Sequence, residues 1–422
     1  ELAGHGVCGL GDINGDGVSD FGVGAPTGLC RSGNACGRSY IIYGSIDAPS
    51  SQPSSQPSNQ PSTQPTSAPS SLGVNPSEWN VSDLSLKKKG FSVTESNGSD
   101  HLFAHSVTTD CDFNGDGNAD LIIGVPDADG QKGRVYVVLG NSSYAVSPKD
   151  INISQFSTGP GGFSVFRSNS TGQLGLSVAC ADTNGDGTDD LIIGAPGYGP
   201  ANTPGVVFVL YGAHNNPNHM YTDIDVDLLQ SGPTTGFKIF SEVTDEYNGH
   251  GFRVARLRNL NGDQFEDFAI TAPNSAGAGS RTNSGTVYVI LGTNSTEDIT
   301  PANYSNRTVR YYGAKAGDSL GGSLAGAGDI NGDGLDDYAF GAPLFSYSTG
   351  AMNQDGLLFV GFGKLLGWDD YDLDIGSPLS LISGFAIYGD SGSKLGASLA
   401  FVGDVNGDGY DDILAGAPRF NG

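Results

Sequence analysis

Six copies of one short pattern constrain this chain more than anything else in it. The first reads GDINGDGVSDFGVGAP and runs from Gly11 to Pro26. CDFNGDGNADLIIGVP begins at Cys111, ADTNGDGTDDLIIGAP at Ala181 and RNLNGDQFEDFAITAP at Arg258. GDINGDGLDDYAFGAP begins at Gly328 and GDVNGDGYDDILAGAP at Gly403. The acidic cluster opens at residues 12, 112, 182, 259, 329 and 404, in steps of 100, 70, 77, 70 and 75. A period near 70 with constant internal order marks an array of supersecondary units.

Each unit reads as four strands. A small-residue strand such as GLSVA or GASLA comes first, and the acidic loop follows. A short apolar strand such as DLIIGAP is next, apolar on consecutive residues as in a strand covered on both faces. Its proline removes a ladder donor and ends it. The third strand is GRVYVVLG, GVVFVLYG or GTVYVILG, and a variable connection leads to a fourth, GFSVFRS or GFKIFSE. The 66 glycines and 21 prolines fit many tight turns and few helices. No unit can cover both faces of its own sheet, and the period is too long for a parallel β-helix. The predicted class is all-β, a β-propeller of four-stranded blades.

These units resemble the FG-GAP repeats of the integrin α-subunit headpiece. The likeness rests on the Asp-x-Asn-Gly-Asp-Gly-x-x-Asp loop and on Gly-Ala-Pro, and covers nearly the whole chain except residues 48–71. It implies a propeller that is seven-bladed when complete, with calcium at the blade edges held for rigidity. It specifies function weakly, because such repeats serve adhesion receptors, accessory domains of enzymes and structural proteins alike.

The loops themselves point to a cation. Positions 1, 3, 5 and 9 carry oxygen side chains and position 7 varies, so it offers a backbone carbonyl. The candidate ligands of the first loop are Asp12, Asn14, Asp16, Val18 and Asp20, and of the second Asp112, Asn114, Asp116, Asn118 and Asp120. The third has Asp182, Asn184, Asp186, Thr188 and Asp190, and the fourth Asn259, Asn261, Asp263, Phe265 and Asp267. The fifth has Asp329, Asn331, Asp333, Leu335 and Asp337, and the sixth Asp404, Asn406, Asp408, Tyr410 and Asp412. All-oxygen ligation in a tight loop suits Ca²⁺, with up to six sites. The fourth loop is expected to be the weakest. It supplies two carboxylates where the others supply three, and Gln264 stands where the others have a glycine expected at positive φ.

The formal net charge of −26 excludes nucleic acid and anionic membrane surfaces as partners of the bare chain. No apolar run is long enough to span a membrane, and no signal peptide is visible at the first residue. Sequons stand at Asn80, Asn97, Asn141, Asn152, Asn169, Asn294, Asn303 and Asn306, all outside the apolar strand runs. Cys30 and Cys36 bracket a short loop and are expected to bridge. Cys8, Cys111 and Cys180 each end an apolar run and read as buried small hydrophobes. An odd count of five leaves a free thiol or an intermolecular partner. Sequons and a loop-closing cysteine pair favour an oxidising, extracellular setting.

Prolines at 49, 53, 57, 61, 65 and 69 define a Pro-Ser-x-Gln tract, here residues 48–71, that favours extended polyproline II. It resembles tracts of cell-surface proteins. Residues 1–47 then hold strands one to three of a blade, belonging either to the propeller of residues 72–422 or to the end of a preceding one. The sixth unit stops after its second strand, so its outer pair is expected from residues outside this numbering or from a neighbouring chain. No His-Glu-x-x-His, Gly-x-Ser-x-Gly or phosphate-cradling loop occurs, and the six loops account for 17 of the 46 acidic residues. The expectation is therefore a calcium-stabilised, glycosylated extracellular propeller, not an enzyme. It would act in adhesion or as a structural part of a surface assembly, with extracellular proteins, further copies of itself or glycans as partners. The competing reading is a non-catalytic accessory propeller of a secreted phospholipase or polysaccharide-degrading enzyme.

Overall fold

The computed structural model describes residues 6–14, 20–25, 38–43, 90–94, 103–141, 150–153, 161–168, 171–197, 205–212, 222–241, 251–277, 281–304, 307–347, 353–373 and 383–419. Within them the chain is a β-propeller whose blades follow one another in sequence.

The first blade is β1 (Gly6–Gly11), β2 (Asp20–Ala25), β3 (Arg38–Ile42) and β4 (Gly90–Thr94), antiparallel in that order. β3 pairs with β4 from Arg38↔Thr94 to Ile42↔Gly90, across the segment that holds the proline tract. The second blade has β5 (Ser106–Cys111), β6 (Asp120–Val125) and β7 (Arg134–Val138). Between β7 and the fourth strand lies a two-residue strand, β8 (Ile151–Asn152); β9 (Gly162–Phe166) then completes the blade. The third blade repeats this with β10 (Ser177–Ala181), β11 (Asp190–Ala195), β12 (Val206–Leu210), a short β13 (Ile224–Asp225) and β14 (Gly236–Phe240). β15 (Arg253–Arg258), β16 (Asp267–Ala272), β17 (Thr286–Ile290) and β18 (Thr308–Tyr312) form the fourth. The fifth is β19 (Ser323–Gly328), β20 (Asp337–Ala342), β21 (Leu357–Gly361), a short β22 (Tyr371–Asp372) and β23 (Gly384–Tyr388). The sixth unit is a two-stranded sheet of β24 (Ser398–Gly403) and β25 (Asp412–Gly416), as its sequence suggested.

The short strands do not belong to the blades whose sequence they interrupt. β8 pairs in parallel with β4 of the blade before it, β13 with β9, and β22 with β18. Ile299 bridges Ile239 of β14 in the same sense. An aspartate just ahead of each one accepts from the strand it joins. Asp150 takes the N–H and hydroxyl of Ser92, both at 2.9 Å. Asp223 takes the same two groups of Ser164, both at 2.8 Å. Asp298 accepts from Lys238 N–H at 2.8 Å and Asp370 from Arg310 N–H at 2.9 Å. The first, second and fourth blades thus receive a fifth edge strand from their successors, and the third a single bridge, which satisfies backbone groups an edge leaves open.

The core lies between blades, not within them. Ile122, Val135, Val137 and Phe163 of the second blade pack on Val178, Leu191, Ile193 and Phe208 of the third. Equivalent layers join the third to the fourth and the fourth to the fifth. Each fully buried side chain of this kind contributes roughly 1.5–3 kcal/mol. This is why the second strand of each unit is apolar on consecutive residues: β6, β11, β16 and β20 are buried along their whole length.

The glycine of Gly-Ala-Pro has a steric reason. A Cβ built on Gly194 would lie 2.2 Å from the carbonyl oxygen of Gly251 in the next blade, and 2.5 Å from Ser177 Oγ. Ser177 Oγ donates to that same carbonyl at 2.8 Å. Gly124 and Gly341 meet Gly175 and Gly396 in the same way, with Ser106 and Ser323 as the donors.

Cys111 and Cys180 form a disulfide, which corrects the expectation of two buried thiols. They stand at or next to the ends of the inner strands β5 and β10, which run side by side in successive blades, and their Cα atoms are 5.5 Å apart, within reach of a bridge. Cys30 and Cys36 lie outside the described residues. Among the described residues no helix is long and apolar enough to cross a membrane.

Candidate functional site

The acidic loops fill the turn between the first and second strand of every blade. Each ties itself off with its own carboxylates. In the third loop, Asp182 Oδ1 accepts from Gly185 N–H at 2.7 Å and Asp186 N–H at 3.0 Å, and Oδ2 from Gly187 N–H at 2.9 Å. Asp329 in the fifth loop and Asp404 in the sixth take the same three amides. Asp112 in the second takes those of Asp116 and Gly117. Position 5 repeats the motif two residues on: Asp116, Asp186, Asp333 and Asp408 accept from the amide of position 7. The glycine at position 6 makes the turn possible, with φ of 83° at Gly117, 84° at Gly187, 87° at Gly334 and 92° at Gly409.

Position 9 is different. Asp120, Asp190, Asp267 and Asp337 are buried. One oxygen of each accepts from the amide of position 2, in Phe113, Thr183, Leu260 and Ile330. The other accepts from a glycine that follows the third strand, Gly140, Gly212, Gly292 or Gly363. This residue therefore pins the loop to the blade. Burial pushes the carboxyls of Asp120 and Asp190 well above the usual range, and those of Asp267 to about 7 and Asp337 to about 6. The amide bonds oppose the shift, and the neighbouring carboxylates at positions 1 and 5 add to it. At position 1 of the exposed sixth loop the amide bonds of Gly409, Gly407 and Asp408 prevail over burial, and Asp404 is held below the usual range.

Successive loops are also joined to one another. The amide of position 8 donates to the carbonyl of position 1 in the preceding loop: Ala119 to Asp12, Asp189 to Asp112, Glu266 to Asp182, Asp336 to Asn259 and Asp411 to Asp329. Where position 8 is acidic, its carboxylate returns to the N–H of that same residue. Asp189 reaches Asp112 at 2.8 Å, Glu266 reaches Asp182 at 3.1 Å, Asp336 reaches Asn259 at 3.2 Å and Asp411 reaches Asp329 at 2.9 Å. Position 7 adds a side-chain contact: Phe265, Leu335 and Tyr410 cover the position-4 glycines Gly185, Gly262 and Gly332 of the preceding loops. A cleft of about 410 Å³ between the second, third and fourth loops is lined by Asp112, Asp182, Asp189, Arg256, Asn259 and Glu266, among others.

Of the sequence-derived candidates, the second to sixth loops lie wholly within the described residues. Asp12, Asn14 and Asp20 of the first loop are described, whereas Asp16 and Val18 are not. Sequence reasoning did not find the interloop role of position 8. The signal was present as Asp or Glu at residues 189, 266, 336 and 411, but acidity there looked like more of the same cluster. Among the described residues no three or more His, Cys, Asp or Glu side chains converge as a preformed cage, because the carboxylates are turned to backbone amides. The donors still fit a hard cation. They are all oxygens, each amide-bonded carboxylate oxygen keeps a second lone pair, and like charges crowd wherever three carboxylates share a loop.

Asn141 and Asn294 are exposed, Asn152 is half-buried on β8, and Asn303 is half-buried with its side-chain amide donating to Asp298 C=O at 3.0 Å. Asn80, Asn97, Asn169 and Asn306 lie outside the described residues.

The FG-GAP repeat family model matches residues 103–138, 174–210 and 395–422. Integrin alpha-PS2 of Drosophila melanogaster is 28% identical over 297 residues, covering 66% of this chain and 18% of that protein. Integrin alpha pat-2 of Caenorhabditis elegans is 30% identical over 250 residues, 58% of this chain and 18% of the relative. Phosphatidylinositol-glycan-specific phospholipase D of Bos taurus is 31% identical over 188 residues, 44% and 20% of the two chains. The match thus spans about a fifth of the length of each relative.

Proposed function

Because the chain is an integrin-α-like FG-GAP repeat protein, we propose that it is a calcium-stabilised extracellular propeller that acts by adhesion or as a structural part of a surface assembly. The observation that supports this most is the succession of loops, in which each blade from the second to the sixth is braced to the one before it through a position-1 candidate ligand residue. Asp112, Asn114, Asp116, Asp120 and the carbonyl of Asn118 would hold a cation in the second loop, with the matching residues in the third, fifth and sixth. When bound, Ca²⁺ supplies positive charge to carboxylates that otherwise repel one another. The chain's own residues do the rest: positions 1 and 5 fold the loop, position 9 anchors it, and position 8 carries the order to the next blade. With free calcium at ~10 to 100 times the dissociation constant, each site adds roughly 1.4–2.7 kcal/mol.

A disulfide between blades and two exposed sequons, Asn141 and Asn294, favour an oxidising, glycosylating compartment. We read the proline tract as an insert within the first blade, since β3 and β4 pair across it. Thermal melts in calcium and in excess chelator test the stabilisation, and an unchanged midpoint would sink it. Beads coated with the protein test adhesion: clustering in calcium and dispersal in chelator are expected, and dispersal in both would refute it. The phospholipase relatives favour a second reading, an accessory propeller of a secreted enzyme. A hydrolase or lyase domain encoded next to these residues would decide for it.

A further inference from the structure

We infer that the fourth loop closes without a metal ion, with Arg256 as the fixed cation of the position-8 carboxylates beside it; this rests on the calcium reading of the other loops. The argument starts at position 1. In the second, third, fifth and sixth loops a carboxylate there accepts backbone amides with both oxygens. In the fourth loop Asn259 accepts from Gly262 N–H with Oδ1 at 2.7 Å, and its Nδ2 donates to the carbonyl of Asp263. The two partners fix the orientation of the amide, because an N–H needs an acceptor and a carbonyl needs a donor. A cation would thus meet an N–H where the other loops offer a second oxygen.

The backbone differs as well. Gln264 at position 6 is not among the residues with positive φ, which corrects the expectation of a strained left-handed residue. Relieved of that conformation, the chain takes another path. The amide of position 6, which donates to position 1 at Gly117, Gly187, Gly334 and Gly409, makes no such bond at Gln264 among the described residues.

Positive charge comes from the protein instead. Arg256 Nη2 lies 2.6 Å from Glu266 Oε1 and 3.4 Å from Asp189 Oδ1, the position-8 carboxylates of the fourth and third loops. Those carboxylates hold the position-1 amides of the loops before them. The equivalents of Arg256 on the other inner strands are Gly9, Thr109, Ala179, Gly326 and Phe401. Between the third and fourth loops the guanidinium neutralises these two carboxylates permanently, whatever the calcium concentration. The chemistry is that of a fixed monovalent cation with directed donors, placed on the bracing carboxylates and not at the ligand positions.

The test is bound calcium per chain, measured by atomic emission after equilibrium dialysis at saturating calcium. The arms are the wild-type chain, N259A, D329N and the double variant N259D/Q264G. Wild type and N259A are expected to hold the same number of ions, D329N one fewer, and N259D/Q264G one more. Loss of an ion in N259A would overturn the inference. Should N259A fail to fold, N259D/Q264G decides alone, and an unchanged count in it would equally overturn the inference. A wild-type chain that binds no calcium would instead sink the calcium reading itself.

Discussion

Removing the Cys111–Cys180 bridge separates two accounts of how this propeller unfolds. The bridge closes a loop of 69 residues, and in the chain-entropy picture its loss destabilises the fold by about 4.4 kcal/mol. The double variant C111A/C180A is the appropriate perturbation, since Cys111 and Cys180 are 0% and 2% exposed and serine there would bury an extra hydroxyl. The size of the thermal shift depends on what melts together. At about 2.1 cal/mol/K per residue, a cooperative transition of the 422-residue chain moves by roughly 5 °C. If only the second and third blades melt as a unit, roughly 135 residues from Ser106 to Phe240, the same free energy moves their transition by about 16 °C. Calorimetry of the two proteins at equal calcium concentration reads the shift directly. The interblade cores and the shared edge strands predict the smaller value, because no blade covers its own faces. A midpoint that does not move would refute the reasoning, and a separate early transition would refute the single cooperative unit.

Gly194→Ala places a methyl group 2.2 Å from a backbone oxygen of the next blade and is expected to cost about 1–3 kcal/mol; a denaturant midpoint equal to wild type would show that the blades do not approach as described. Asp336→Ala leaves the Asn259 amide without its side-chain acceptor and should cost about 1 kcal/mol while leaving bound calcium unchanged, so a lost ion would reassign position 8 as a ligand. Burial holds the phenols of Tyr311 and Tyr338, which share a hydroxyl–hydroxyl bond, well above their ordinary range, and it lifts Tyr211 to about 12. These groups stay protonated in the fold but ionise in the unfolded chain above pH ~10. Stability is therefore full below that pH and falls beyond it, by up to ~1.4 kcal/mol per pH unit per phenol. Equal urea midpoints at pH 9 and pH 11 would contradict this.

What the sequence revealed and what it hid divide along a physical line. The loop turns and the strand order are set by residues within ten or so positions of each other, so the pattern of Asp112 to Pro126 announces both. The partners of Asp189, Glu266, Asp336 and Asp411 lie 77 to 84 residues earlier, and no local periodicity reports them. The same holds for the short strands. Asp150 and Asp223 look like ordinary linker residues until their receiving strands, 58 and 59 residues away, are in view. Cys111 and Cys180 could have been paired from sequence: they stand about one repeat apart at nearly equivalent positions, on inner strands that a propeller must set side by side. Gln264 was noticed, but its backbone was expected to copy its neighbours, whereas a side chain at that position moves the chain to a different turn.

The borrowed edge strand gives the polymer a direction in time. A blade's own four strands leave the ribosome well before the segment that seals its rim, which is encoded most of a repeat later. At about 5–20 residues per second, ~60 residues of further synthesis take roughly 3–12 s. Throughout that interval a nearly finished sheet carries an unsealed margin, and each new blade inherits the same exposure from the one it has just completed. Nascent chains of this design advance as a travelling seam, with one vulnerable border at any moment and its position set by the ribosome.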